Sequence, residues 1–126
     1  EARVLGDIAL NHVVPTALNY QNILITNVSG LKEVFEEEFR TIAKDQMDLI
    51  RKISVHTSAI SQNVHDMIEE RKKANVIEHA EDMAIAYCDK VKPYFDIIRY
   101  HCDKLELMVD DEMWPLIKYR EMLFTR

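Results

Sequence analysis

Five histidines and two cysteines are the side chains in this 126-residue sequence best suited to binding a metal. Helical di-metal proteins use Glu-x-x-His pairs, but the residues three positions before the histidines are Ala, Ile, Gln, Val and Ile. The Cys-x-x-Cys and His-x-x-x-His spacings of zinc sites do not occur in the sequence either. His101-Cys102-Asp103 combines three ligand types, yet adjacent helical residues point about 100° apart and cannot converge on one ion. We therefore predict no metal site and interpret His101 as a hydrogen-bonded core histidine.

No catalytic or cofactor-binding residue is predicted. Gly6 and Gly30 are the only glycines, which excludes a glycine-rich phosphate loop. A nucleophilic cysteine needs a base and an electropositive setting, whereas Cys88 and Cys102 flank an apolar stripe and are interpreted as packing residues. His56 is interpreted as a surface or flank residue of a long helix.

The C-terminal segment contains the candidate interface residues Trp114, Tyr119, Met122 and Phe124. Trp, Tyr and Met are enriched where protein surfaces meet. Two interpretations stay open: the segment folds back to cap its own domain, or it docks on another domain or subunit.

The composition predicts one helical domain over residues 1–126. Two glycines and three prolines leave room for few turns, and 48% apolar with 30% charged residues suits a globular chain. A net charge of −6 argues against a general nucleic-acid surface. No apolar run approaches 18 residues, so we predict no membrane span.

The spacing of apolar residues predicts three long helices. The first occupies about residues 2–28, with a kink or break at Pro15 and a left-handed C-terminal cap at Gly30. The second helix follows, after a possible separate short helix, and no Gly or Pro occurs from Leu31 to Lys73. Its apolar register comprises Ala43, Ile50, Ile53, Ile60, Val64 and Met67, with Gln46 and Thr57 as polar members.

The third predicted helix begins with Asn75 as its N-cap. Its apolar stripe passes through Pro93 without a phase shift, which favours one long helix kinked there. The members of the stripe are Ile77, Ala80, Ala84, Tyr87, Val91, Tyr94, Ile98, His101, Leu105 and Met108. The predicted fold is all-α: an antiparallel bundle of about three long helices plus short helical pieces.

Several blocks of this sequence resemble type III glutamine synthetases, the large bacterial form of that enzyme. The blocks, in order, are Val4-Leu5-Gly6-Asp7-Ile8-Ala9-Leu10-Asn11-His12-Val13-Val14-Pro15, Asn27-Val28-Ser29-Gly30-Leu31-Lys32-Glu33, Pro93-Tyr94-Phe95-Asp96-Ile97-Ile98-Arg99-Tyr100-His101-Cys102 and Asp110-Asp111-Glu112-Met113-Trp114-Pro115. The resemblance covers nearly the whole chain, although no single block is chemically diagnostic.

The resemblance implies a non-catalytic C-terminal helical domain of a larger, cytoplasmic enzyme. The family makes glutamine from glutamate, ammonia and ATP with magnesium, and its catalytic residues belong to an upstream domain. The implied partners are the chain's own catalytic domain and sister subunits of a large homo-oligomer, with no nucleic acid or membrane. The alternative function is a free-standing helical adaptor, since the long register from Leu31 to Lys73 would also suit binding to a partner helix.

Overall fold

The computed structural model of the protein describes residues 2–109, which fold into helices connected by short turns. In chain order these are α1 (Ala2–Ile8), a π-turn (Ala9–Val13), α2 (Val14–Phe35), a 3₁₀ turn (Glu36–Glu38), α3 (Phe39–Ile42), α4 (Lys44–Asn75), α5 (Ala80–Ala86), a second π-turn (Tyr87–Val91) and α6 (Pro93–Met108). Because the π-turns lead directly into their flanking helices, the described residues make three long helical segments: 2–35, 44–75 and 80–108. The predicted all-α fold with three long helices is confirmed.

Contacts along α4 show that both neighbouring segments run antiparallel to it. On one side, Gln21 bonds to Ser54, while Asn27, further along α2, bonds to Gln46, earlier in α4. On the other side, the Tyr87 hydroxyl donates to Asn75, the last residue of α4, whereas His101, further along the third segment, contacts His56, earlier in α4. None of the helices within residues 2–109 has the length and apolar character needed to cross a membrane.

The core lies where the three segments meet, and the first segment contributes mainly small residues to it. The buried positions of that segment are Ala2, Gly6, Ala9, Val13, Ala17, Gln21 and Leu24. A Cβ atom on Gly6 would lie 3.3 Å from Val64 Cγ1, so α1 and α4 approach closely at this point. Most of the larger core side chains come from the other segments: Ile53, Ile60, Val64, Met67, Val91, Ile98 and Leu105. Burying each Ile or Leu contributes roughly 1.5–3 kcal/mol relative to leaving it in water.

The predicted register of α4 is confirmed. Its fully buried members include Ile53, Ile60 and Val64, while Ile50 is half-buried. Thr57 is also buried, and its hydroxyl donates to the carbonyl oxygen of Ser54 at 3.1 Å. This internal bond satisfies the one polar side chain that the helix places in the core.

The first segment continues through both positions where a kink or stop was predicted. Ahead of Pro15 the helix widens into the π-turn, with the Val14 N–H donating to the Ala9 carbonyl, and then continues as α2. Gly30 is not a C-terminal cap: it lies within α2 and does not have a positive φ, so the predicted stop there was wrong. The chain turns at Glu36 instead, which has φ 51° and ψ −108°.

The third segment is one long helix bent at residue 92, next to Pro93, as predicted. Asn75 is not its N-cap, because α4 extends through Asn75 and α5 starts only at Ala80, after an extended His79. The stripe also shifts phase at the second π-turn. Ala80 and Ala84 are exposed, whereas Met83 and Ala86 are half-buried. A π-turn accommodates one extra residue, which rotates the residues before it relative to those after it.

Candidate functional site

Two histidines from different helices meet between α4 and α6. The side chains of His56 and His101 are half-buried, and their Nδ1 atoms lie 2.9 Å apart. The ring centroids are 5.1 Å apart, with the ring planes tilted by 53°. At this distance one Nδ1 must carry a hydrogen and donate it, while the other accepts through its lone pair. The neutral pair therefore contains two different tautomers.

An aromatic ring and a cation border the histidine pair on α6. The Tyr100 ring stands edge-on to both imidazoles, with its centroid 6.4 Å from that of His56 and 5.1 Å from that of His101. The ammonium of Lys104 lies 5.4 Å from the centre of the Tyr100 ring, within the range of a cation–π contact. The three rings and the lysine form a continuous patch at the α4–α6 boundary.

The surroundings of the pair favour uncharged imidazoles. Burial lowers the pKa of His101, and burial is also the largest cause that lowers the pKa of His56. The neighbouring charges of His101 and Lys104 lower the pKa of His56 further. A proton is therefore harder to add to either ring than to a histidine in water.

The sequence predicted a hydrogen bond for His101 but did not predict that its partner is His56. His101 occupies the inward stripe of the third segment, and its prediction as a hydrogen-bonded histidine at the core is consistent with the contact found. His56 does lie at the flank of the buried stripe, three positions after Ile53, but its partner was not predicted. The two residues are 45 positions apart, so only the packing of α4 on α6 brings them together.

The pair is poorly suited to binding a metal ion. Within residues 2–109 there is no group of three or more His, Cys, Asp or Glu side chains placed to hold a metal. Two imidazoles would supply only two of the four ligands of a structural zinc site. The positive charge of Lys104 beside them also opposes cation binding.

The two cysteines are free thiols in different environments. Cys102 packs against the core, and burial, with a smaller effect from the charge of Asp103, raises its pKa to about 11. Cys88 is exposed in the second π-turn, so its interpretation as a packing residue was wrong.

A groove between α2 and α4 encloses about 370 Å³ and contains no ionisable side chain. Four of its six lining residues carry a hydroxyl or amide group, and the full lining is Val14, Leu18, Thr57, Ser58, Ser61 and Gln62. Such a lining can donate and accept hydrogen bonds but cannot move a proton near neutral pH. The candidate interface residues Trp114, Tyr119, Met122 and Phe124 lie outside the described part of the chain.

Comparisons with known proteins find similarity to glutamine synthetases. It is 51% identical, along its whole length, to a protein named glutamine synthetase from Bacteroides fragilis. It is 26% identical, again along its whole length, to a type-3 glutamine synthetase from Dictyostelium discoideum. The chain spans 17% of the length of each relative. No family model matches the sequence. The resemblance drawn from the sequence blocks is thus confirmed: this chain is homologous, from end to end, to a segment of glutamine synthetases that include a type-3 enzyme.

Proposed function

We propose that this chain is the non-catalytic C-terminal helical domain of a type III glutamine synthetase. The observation that carries the proposal is 51% identity along the whole chain to a glutamine synthetase of which it spans 17%. The parent enzyme joins glutamate and ammonia with the help of ATP and magnesium, and the residues for that chemistry lie in other parts of the parent. The parent is a cytoplasmic protein.

The role proposed for the domain is packing against its own catalytic domain and against sister subunits in a large homo-oligomer. An apolar strip on α6 supports this role. Ile97, Tyr100 and Leu107 lie on one face of α6 and are 40%, 55% and 80% exposed, with Lys104 between Tyr100 and Leu107. A strip of this kind is a suitable surface for another part of a larger protein, since neighbouring exposed apolar residues mark contact sites. The proposal also assigns Trp114, Tyr119, Met122 and Phe124 to this interface, because Trp, Tyr and Met are enriched where protein surfaces meet.

The first experiment measures the size of the native polypeptide in source cells with an antibody against this domain. We expect a band several times larger than 14.8 kDa, and glutamine formation by that polypeptide but not by the 126-residue chain alone. A band at the size of the chain itself would favour the adaptor. Glutamine formed by the chain alone would contradict the non-catalytic role.

A second experiment tests the assembly role in the parent enzyme. The variants Trp114→Ala and Phe124→Ala should lower the assembled mass in light scattering and reduce glutamine formation with it. Lys118→Ala, in the same segment, is the matched control and should leave both unchanged. If both aromatic variants kept the assembled mass of the parent enzyme, Trp114 and Phe124 would not contribute to subunit assembly.

A further inference from the structure

The protonation states of His56 and His101 determine whether their contact can exist. With both rings neutral, one Nδ1–H donates to the other Nδ1 across 2.9 Å. One added proton can be tolerated, since an imidazolium can still donate to a neutral imidazole. When both rings are protonated, each nitrogen carries a hydrogen and neither can accept. Two positive charges then face each other at the same short distance, and the contact is lost.

The charged groups around the pair do not compensate for a second proton. From α6, Lys104 adds a further positive charge, and the thiol of Cys102, with a pKa of about 11, stays neutral. Asp103 is exposed, and because it lies two positions after His101 on a helix, it projects about 160° away from it. From α4, Lys52 lies one turn before His56, and its ammonium is 3.2 Å from Asp48.

The first segment packs on a different side of α4. Its polar contacts there join neutral side chains, Gln21 with Ser54 and Asn27 with Gln46. Ser54 and His56 are two positions apart on a helix, so they project about 160° apart. The α2 contact is therefore unaffected by the charge of the histidine pair.

We propose that the His56–His101 contact is a pH-sensitive latch that holds the C-terminal half of α6 against α4 and releases it when both imidazoles are protonated. Ile98 and Leu105 are fully buried before and after His101, so the bundle persists when the latch opens. The change is a local loosening of α6 over the last two turns before Met108. This inference concerns the bundle itself and does not depend on the proposed role in a larger enzyme.

The sign of the pH effect follows from the direction of the pKa shifts. Both histidines have a lower pKa in the folded chain than the usual value of 6.5. The unfolded chain therefore binds these protons more readily than the folded chain. The stabilising effect of the latch is complete above about pH 6.5 and is lost as the pH falls through the lowered values.

The test is the melting temperature of the 126-residue chain between pH 8 and pH 5. The comparison uses the wild type, the double variant His56→Asn/His101→Asn and the control His65→Asn, an exposed histidine on the same helix. Asparagine keeps a polar group near the Nδ1 position but does not titrate. We expect the wild type and the control to lose roughly 4 °C more than the double variant over this range. An equal loss in all three proteins would overturn the proposal.

A second measurement needs no variant. Nitrogen-15 NMR of the imidazole rings distinguishes the tautomers and the cation. At pH 8 we expect one ring of the pair to carry its hydrogen on Nδ1 and the other on Nε2. On acidification, both imidazole rings should become cations. Over the same pH range, the backbone amide signals of the α6 residues that follow His101 should shift. Two rings that carry hydrogen on Nε2 at pH 8, or amide signals that stay fixed, would contradict the latch.

Discussion

Gln21 on α2 and Ser54 on α4 form a partly buried polar link between the first two helical segments. The Gln21 Nε2 atom donates to Ser54 Oγ at 2.7 Å and to the Ile50 carbonyl oxygen at 2.9 Å, so both of its hydrogens are used. Gln21 is only 9% exposed. The link fixes how far α2 can slide along α4, because apolar packing is non-directional and these bonds are not.

Replacing Gln21 with alanine should lower the free energy of unfolding by about 1–2 kcal/mol, since it removes both bonds and part of a buried side chain. Urea denaturation measures this loss. Asn22→Ala, at the exposed neighbouring position, is the control and should change stability by less than about 0.5 kcal/mol. Equal losses in the two variants would mean that the bonds to Ser54 and Ile50 contribute nothing.

The two glycines should respond in opposite directions to larger side chains. Gly30 lies inside α2 with no atom within 4 Å of an added Cβ, so Gly30→Ala should stabilise the chain by about 0.5–1 kcal/mol through helix propensity. Gly6 faces Val64 Cγ1, so Gly6→Leu should destabilise it by about 1–3 kcal/mol through overpacking. Thermal denaturation checks both. A neutral Gly6→Leu variant would rule out the close approach of α1 to α4.

Glu36 is the only residue other than glycine with positive φ within residues 2–109. A side chain is strained at φ 51° and ψ −108°, whereas glycine tolerates this region. Glu36→Gly should therefore raise the free energy of unfolding by about 1 kcal/mol. Glu37→Gly is the matched control and should instead lower stability slightly, because it only adds freedom to the unfolded chain. If both variants lost stability alike, the turn would not be strained at Glu36.

The two thiols should differ strongly in reactivity with a disulfide reagent at pH 8. Only the thiolate reacts, and a pKa of about 11 leaves roughly one Cys102 in a thousand ionised, since 8 − 11 = −3 on the logarithmic scale. Cys88 is exposed and should react first. The variant Cys88→Ser should retain only a slow thiol, and Cys102→Ser only a fast one. Fast reaction of both thiols in the folded chain would show that Cys102 is accessible.

The sequence predicted those features that depend on local periodicity. The register of α4 was recovered because a helix repeats every 3.6 residues, and no Gly or Pro interrupts residues 44–75. The continuity of the third segment through Pro93 was predicted because the apolar register keeps its phase from Val91 to Leu105. The relationship to glutamine synthetases was inferred from the residue order within several sequence blocks and not from the chemistry of their side chains.

The sequence did not predict features that depend on tertiary packing. It also misassigned residues that are compatible with a helix end but do not require one. Gly30 was expected to end a helix, but a glycine permits a left-handed cap without requiring one. Asn75 was expected to begin a helix, yet its side chain accepts a hydrogen bond from Tyr87 at the end of α4. The pairing of His56 with His101 depends on how two helices pack, which the spacing within either helix does not encode.

The π-turn at Tyr87–Val91 has a consequence for how the length of this chain can vary. The turn holds one residue more than an ordinary helical turn would, and three of its members, Cys88, Asp89 and Lys90, are exposed. A homologue that lacks one of these residues could form an uninterrupted α-helix there. Met83 and Ile98 would still face the core on either side of the deletion. This exposed turn is therefore a position at which the family can gain or lose a single residue without rearranging the bundle.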